Sequence, residues 1–328
     1  MSGSSQAPLV PATVAAETTT GGEHQGVPPA GRVRRLNGRD RVVVVLMVVI
    51  PLLLTIGLVW LPAIATVLLS FTNWNGIGDL SEIEFIGTKN YTDVVSIYPP
   101  FWPAIQHNIL WLAVMFLVAT PFGIFLAVLV DKELRGSRFY QTSLYLPVVL
   151  SLALVGFIWQ LQYSRDQGFL NYLLLEFGLL DTPVDFYGDR SVNIWSVLVA
   201  SSWRHVGYIM LLYLAGLKGV DPSLREAAAM DGAGEVKTFF RIVFPVMRPI
   251  NVIVLVITVI ESLRAFDLVW VVNKGRNGLE LISALVTQNV IGEASRIGFG
   301  SALATIMLVV SLVFIIAYLS TVMREEQR

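Results

Sequence analysis

The chain has 328 residues, of which 55% are hydrophobic and only 14% are charged, whereas a soluble domain carries about a quarter charged residues. The hydrophobic residues fall in long runs, and a helix of about 20 apolar residues spans a bilayer, so we expect an integral membrane protein. A net charge of −1 argues against nucleic acid as a partner, and the absence of cysteine excludes disulfides and thiolate metal sites.

A polar tail precedes the first apolar run. Residues 1–38 are rich in Pro, Gly, Ala, Ser and Thr, a composition that cannot bury enough apolar surface to fold, so we predict a disordered cytoplasmic tail. Residues 39–328 form the membrane part, which we predict to be all-α. Its apolar segments predict six transmembrane helices: 42–70, 107–130, 140–162, 192–217, 249–272 and 299–323. Four prolines lie inside these spans, namely Pro51, Pro62, Pro121 and Pro147, as membrane helices tolerate.

The basic residues indicate the orientation of the spans. With the N-terminus inside, fifteen Lys and Arg residues lie in the inner segments and six in the outer loops. Such an excess marks the cytoplasmic side. We therefore predict a multi-pass protein of the plasma membrane, surrounded by lipid, with both termini in the cytoplasm. The polar segment 218–248, between spans four and five, is then a cytoplasmic loop.

The cytoplasmic loop 218–248 predicts two short helices. Asp221 is a good N-cap and Pro222 suits the first helical position, so a helix should run to about Met230. Gly232 and Gly234 should end it, because glycine readily adopts positive φ.

A second helix should start near Glu235 and present one apolar face, formed by Val236, Phe239, Phe240 and Val243. This periodicity alone supports two interpretations. The loop is either an amphipathic linker lying on the membrane or the bundle, or a docking element for a cytoplasmic partner.

The loop resembles the EAA motif of permease subunits of binding-protein-dependent ABC importers. That motif is EAA, three residues, Gly, nine residues, then Ile, any residue, Leu and Pro. Here Glu226–Ala228 are followed three residues later by Gly232, and nine residues further by Ile242–Pro245, with Phe244 in place of Leu. The DGA sequence at Asp231–Ala233 further resembles the carbohydrate-uptake, maltose-transporter-like branch.

Other segments extend the resemblance over most of the chain beyond the tail. They are SFTNW at Ser70–Trp74, FIGTKNY at Phe85–Tyr91, the segment Leu214–Ala228 and GFGSALAT at Gly298–Thr305. The resemblance implies a type I ABC importer permease fold in a bacterial inner membrane. It also implies import of a sugar or sugar derivative.

The resemblance further implies how the loop works. Its first helix would sit in a cleft of an ATP-binding subunit, where Glu226 meets a cationic group and Gly232 sets the turn between helices. The implied coupling residues are Glu226, Ala227, Ala228, Asp231, Gly232 and Gly234. The implied partners are a second permease subunit, a dimer of ATP-binding subunits and an extracytoplasmic solute-binding protein. The chain has no GxxxxGK[ST] phosphate loop, so we expect no enzyme activity and no cofactor on it, with ATP and Mg on the ATPase subunits.

Charged residues inside the spans form a second candidate site. Span four contains Arg204 and His205, and span five contains Glu261, Arg264 and Asp267 at a spacing of three residues, which allows neighbours to pair on one helix. A charge at mid-bilayer is costly and faces the bundle interior or a cavity.

These charges have two interpretations. They form either a buried ion network that joins spans four and five, or a polar substrate path with Trp203, Tyr208 and Phe266 as aromatic platforms. Asn108, at the start of span two, is a candidate for either role. The three histidines, His24, His107 and His205, lie far apart and form no metal-ligand pattern.

Three alternatives remain open from the sequence. The first is an ABC permease for another solute, such as glycerol phosphate or a polyamine. The second is a proton-coupled secondary transporter with Glu261, Asp267 and His205 as a relay, which would leave the loop unexplained. The third is a membrane scaffold that binds a partner through the loop and transports nothing.

Overall fold

The computed structural model describes residues 37–132, 136–292 and 295–326, so the predicted tail lies outside the described residues except for its last two. Within these ranges the regular structure is helical, and the only strand-like pairing is an isolated bridge between Thr72 and Phe85. The first eight α-helices are α1 (Gly38–Thr55), α2 (Leu61–Leu69), α3 (Lys89–Ser96), α4 (Phe101–Val114), α5 (Thr120–Asp131), α6 (Ser137–Val149), α7 (Leu152–Gln162) and α8 (Phe169–Glu176). The others are α9 (Asn193–Lys218), α10 (Pro222–Met230), α11 (Glu235–Thr238), α12 (Phe244–Val246), α13 (Arg248–Leu263), α14 (Asp267–Asn273), α15 (Ile282–Val290) and α16 (Ile297–Glu326).

The chain divides into two compact units after Ile56. The first contains α1, which begins with a capping box: Asn37 Oδ1 accepts a hydrogen bond from the Gly38 amide, and Asp40 accepts one from the Asn37 amide. The second unit, from Gly57 onward, contains all three clusters of buried hydrophobic side chains in the described part of the chain.

Among the described residues, four helical segments are long and apolar enough to cross a membrane, and two bent pairs of helices also qualify, which gives six spans when each pair counts as one. The single segments are Gly38–Leu69, Phe101–Asp131, Asn193–Lys218 and Ile297–Ala317. They agree with the predicted spans one, two, four and six. Predicted spans three and five correspond to the two bent pairs, Ser137–Val149 with Leu152–Gln162 and Glu235–Val246 with Arg248–Asn273.

Span three is a bent pair because its backbone becomes extended in the middle. Helices α6 and α7 meet at 105°. Between them Leu150 has ψ 143°, and the Ser151 hydroxyl accepts a hydrogen bond from the Leu154 amide and so caps a new helix.

Span five is bent where a proline opens its longest helix. The segments Glu235–Val246 and Arg248–Asn273 meet at 79°. Pro249 lies in the first turn of α13, where its missing N–H is tolerated, but it cannot continue a helix that arrives through Met247.

Three of the prolines are accommodated by local widening of the helix. A π-helical turn precedes each of Pro62, Pro121 and Pro245, and the residue four positions before each proline lies within that turn. Since a proline ring collides with the carbonyl of that residue, a turn with i→i+5 bonding relieves the clash without breaking the helix. The π turns are Ile56–Trp60, Met115–Ala119 and Phe239–Val243.

Helices α5 and α9 pack closely through a glycine. A Cβ atom added at Gly123 would lie 2.8 Å from Ile209 Cβ and 2.9 Å from the Val206 carbonyl oxygen. Small residues allow this kind of backbone approach between membrane helices. The contact continues into a buried cluster that includes Ile209, Met210 and Tyr213 of α9.

Candidate functional site

The first helix of the cytoplasmic loop forms where the sequence predicts it. Helix α10 starts at Pro222 and ends at Met230. Asp221 caps it by accepting a hydrogen bond from the Ser223 amide at 2.9 Å, and bonds from Ser223 hold the pKa of the Asp221 carboxyl below its usual value.

The turn after α10 is a Schellman motif. Gly232 has φ +72°, its amide bonds to the Ala229 carbonyl, and the Ala233 amide bonds to the Ala228 carbonyl. The prediction that Gly234 helps to end α10 through a positive φ is wrong. Gly234 has φ −69° and serves as the N-cap of α11. Gly232 alone therefore supplies the left-handed residue of this turn.

The predicted apolar face of the second helix is only partly formed. Val243 is buried and Phe239 is half-buried against the α9 cluster, whereas Val236 and Phe240 are exposed. The π turn Phe239–Val243 explains the difference, because it changes the number of residues per turn and rotates later side chains away from the helical register.

The surface of α10 and of the turn that follows it is accessible. Glu226, Ala227, Asp231, Gly232 and Gly234 are all exposed. Ala228, in contrast, is buried.

The five charged span residues line one cavity of about 200 Å³, which we call the charged cavity. Its walls are Trp111, Met115, Leu152, Ser201, Arg204, His205, Ile260, Glu261, Ser262, Arg264, Ala265, Phe266, Asp267 and Leu268. Of the predicted aromatic platforms only Phe266 is a wall residue, and its ring stacks on Trp270. Trp111 was not predicted, because a tryptophan in an apolar run resembles ordinary core.

Glu261 joins α13 to α9. Its carboxylate lies 3.2 Å from His205 Nδ1 and 3.8 Å from Arg204 Nη1. On the other side of the imidazole, His205 Nε2 lies 3.3 Å from the hydroxyls of both Thr120 and Thr258. The network therefore links α5, α9 and α13 through a buried histidine.

The expected pairing within span five is not what the structure has. The helix breaks after Leu263, so Glu261 lies in α13, Arg264 caps its end and Asp267 opens α14. Glu261 instead contacts α9, through an ion pair with Arg204 and a hydrogen bond with His205. Thr120 and Thr258, which sequence reasoning missed, are polar residues inside apolar runs, and that signal could have found them.

Asn108 lies outside the walls of the charged cavity. It is buried, its Oδ1 accepts a hydrogen bond from the Ile282 amide at 3.0 Å, and its Nδ2 lies 3.5 Å from the Ser262 carbonyl oxygen. It thus ties α4 to the first residue of α15 and to α13. These contacts favour a structural role over a role in the substrate path.

Residues 41–324 match the family described as "Binding-protein-dependent transport system inner membrane component". The chain belongs to this family. A similar protein is the probable ABC transporter permease protein YurN of Bacillus subtilis, 32% identical over 268 residues that cover 80% of this chain and 90% of that protein. The xylose/arabinose import permease protein XacH of Haloferax volcanii is 30% identical over 256 residues, which cover 76% of this chain and 78% of that protein.

Solved structures share the fold. A chain of a bacterial ABC transporter involved in the import of the acidic polysaccharide alginate superposes with a TM-score of 0.75 at 21% identity, covering 87% of this chain and 96% of that one. A structure of a bacterial alginate ABC transporter in complex with an alginate pentasaccharide-bound periplasmic protein gives a TM-score of 0.72 at 21% identity, over 85% and 93% of the two chains. The predicted all-α, multi-pass permease fold and the resemblance to ABC importer permeases are confirmed.

Proposed function

We propose that this ABC permease carries a sugar or sugar derivative into the cell, and that ATP hydrolysis on separate subunits drives it through the loop 218–248. The observation that carries the proposal is the charged cavity, where five ionisable side chains and two aromatic rings meet inside a permease fold. Xylose, arabinose and alginate, named for a relative and for the solved structures, support a carbohydrate as the solute. Membership in the family argues against a proton-coupled transporter and against a scaffold.

The charge balance of the cavity favours a neutral polar solute. Arg204 and Arg264 are offset by Glu261 and Asp267. A phosphorylated solute would favour a net positive cavity and a polyamine a net negative one. A neutral sugar instead uses both donors and acceptors for its hydroxyl groups, and an aromatic ring such as Phe266 offers an apolar platform for its C–H face.

The loop offers a surface that suits a protein partner. Glu226 and Ala227 are exposed on α10, and three apolar side chains, those of Met230, Val236 and Phe240, are exposed on the same loop. An apolar patch beside a charged residue is typical of a protein interface. Here the partner is a dimer of ATP-binding subunits, which hold ATP and Mg, while this chain binds no cofactor.

The complete importer contains further partners. A second permease subunit pairs with this one in the lipid bilayer, and an extracytoplasmic solute-binding protein delivers the solute to the outer loops 71–104 and 163–190. Both termini of this chain lie in the cytoplasm of a bacterium.

The first test is purification of the tagged protein in mild detergent, followed by mass spectrometry of the proteins that co-purify. We expect a P-loop ATPase, a second six-span subunit and a solute-binding protein. The solute bound by that last protein then identifies the cargo, which we expect to be an uncharged sugar. Isolation of the chain without an ATPase would contradict the coupling proposal. A cargo that is not a carbohydrate would contradict the sugar proposal, and an acidic or basic sugar would contradict the argument from the charge balance of the cavity.

A second test uses the loop itself. Glu226→Gln removes the exposed carboxylate of α10, and Gly232→Val forces a β-branched residue into a left-handed conformation. Both should lower the amount of ATPase recovered by about tenfold, in the range of a typical coupling free energy. Glu235→Gln is the matched control, because it removes a carboxylate from the same loop outside the EAA helix. Normal recovery of the ATPase with both variants would contradict the proposed role of α10.

A further inference from the structure

Two ion pairs tie the loop 218–248 to one end of a single membrane helix. Asp131 is the last residue of α5, and Lys132 follows it. The Asp131 carboxylate accepts a hydrogen bond from Arg225 Nη1 at 2.8 Å, and Lys132 Nζ donates to the Glu235 carboxylate at 2.5 Å. Because Arg225 belongs to α10 and Glu235 opens α11, both limbs of the loop are held by adjacent residues of the same helix end.

The two pairs differ in strength. The Asp131 side chain is only 15% exposed and Arg225 is 40% exposed, whereas Lys132 and Glu235 are 44% and 81% exposed. Ion pairs in water contribute little, because solvent screens them and two long side chains must be ordered. The Arg225–Asp131 pair is therefore the main link, and it sits directly beside Glu226.

The other end of α5 reaches the charged cavity. Thr120 is its first residue and contacts His205 of the Glu261 network, and Met115 in the preceding π turn lines the cavity itself. Helix α5 has 12 residues and so is about 18 Å long at a rise of about 1.5 Å per residue. One continuous helix thus contacts the loop at one end and the cavity network at the other.

We propose that α5 transmits the movement of α10 to the charged cavity, with Arg225 and Asp131 as the positioning residues of this link. The inference rests on the proposed coupling through the loop. Close packing at Gly123 makes α5 and α9 move together, and α9 supplies Arg204 and His205 to the cavity. A shift of α10 that displaces Asp131 is then transmitted to Glu261, because Glu261 contacts both Arg204 and His205 of α9.

The absence of cysteine from the chain permits a clean test. Ser201→Cys places one thiol in the wall of the charged cavity. In the whole importer reconstituted in lipid nanodiscs, the rate of labelling by a polar maleimide is measured without nucleotide and with ATP plus vanadate. The parent Ser201→Cys protein should change its labelling rate when ATP closes the ATPase dimer.

Removal of the ion pair should uncouple this response. With Asp131→Asn added, the importer should still assemble and hydrolyse ATP, but the ATP-driven change in labelling rate should fall about tenfold. Arg225→Gln removes the same pair from its more exposed side and should behave alike. The exchange Asp131→Arg with Arg225→Asp should restore the response because it forms the ion pair again, which independent defects at the two positions would not predict. Glu235→Gln, the matched control, should respond like the parent because its pair with Lys132 is exposed.

The outcomes separate the inference from the proposed function. A full response in both Asp131→Asn and Arg225→Gln would overturn the role of α5 while leaving coupling through the loop intact. Loss of the ATPase subunits from both variants would also overturn it, since the pair would then serve docking and not transmission. No ATP response in the parent Ser201→Cys importer would instead refute the coupling proposal itself.

Discussion

Replacement of Asn108 by leucine should destabilise the protein without altering its solute recognition. Leucine has a similar size and no polar atoms, so the substitution removes the acceptor that the Ile282 amide uses at 3.0 Å. Because Asn108 is buried, water has poor access to this amide. A buried donor left without an acceptor costs about 1–3 kcal/mol.

The expected loss is set almost wholly by this one bond. The second contact, from Asn108 Nδ2 to the Ser262 carbonyl, is 3.5 Å long and adds little. For a large domain, 1 kcal/mol shifts Tm by about 2 °C, so a shift of about 2–6 °C downward is expected. Asn75→Ala, which loses an exposed bond to the Ile77 amide, is the control and should change Tm by less than about 1 °C.

The assay is thermal unfolding in detergent, followed by intrinsic fluorescence, together with uptake measured per folded importer. We expect a lower Tm and a normal KM for the solute identified through the binding protein. An unchanged Tm with a clearly raised KM would refute this reasoning, because Asn108 would then contact the solute, as the sequence also allowed.

Two further predictions concern packing and pH. Gly123→Ala should lower the free energy of unfolding by about 1–3 kcal/mol, because the added methyl group overpacks α5 against α9. The control Gly57→Ala should not lower it, because a Cβ at Gly57 meets open space. Thermal unfolding of both variants checks this, and equal stability would contradict the close approach of α5 and α9. The pKa of Asp221 is lowered because its ionised carboxylate caps α10. The stability that this cap contributes is complete at any pH above the pKa of Asp in the unfolded chain. It is lost as the pH falls through the lower pKa of Asp221 in the folded protein. Hydrogen exchange should therefore show that the protection of the α10 amides, relative to their intrinsic exchange rates, falls toward low pH, but not in Asp221→Asn, where a neutral amide caps at every pH. The same pH dependence in both proteins would exclude this origin.

Local signals in the sequence were sufficient for much of the fold. The positions of the spans follow from the lengths of apolar runs, since a bilayer demands about 20 apolar residues in any context. The limits of α10 follow from Asp221, Pro222 and Gly232, whose effects act within one turn of the helix. The gathering of charged span residues at one cavity was also predictable, because the bilayer leaves them no other place.

The partners of those residues were decided only by the tertiary structure. Glu261 could have paired within its own helix, but a break after Leu263 and the approach of α9 pair it with Arg204 and His205. The helix α15 that Asn108 supports and the Arg225–Asp131 pair have the same origin. Each depends on contacts between residues far apart in the chain, whose distance is set by how the helices pack and is invisible to periodicity, capping or hydropathy.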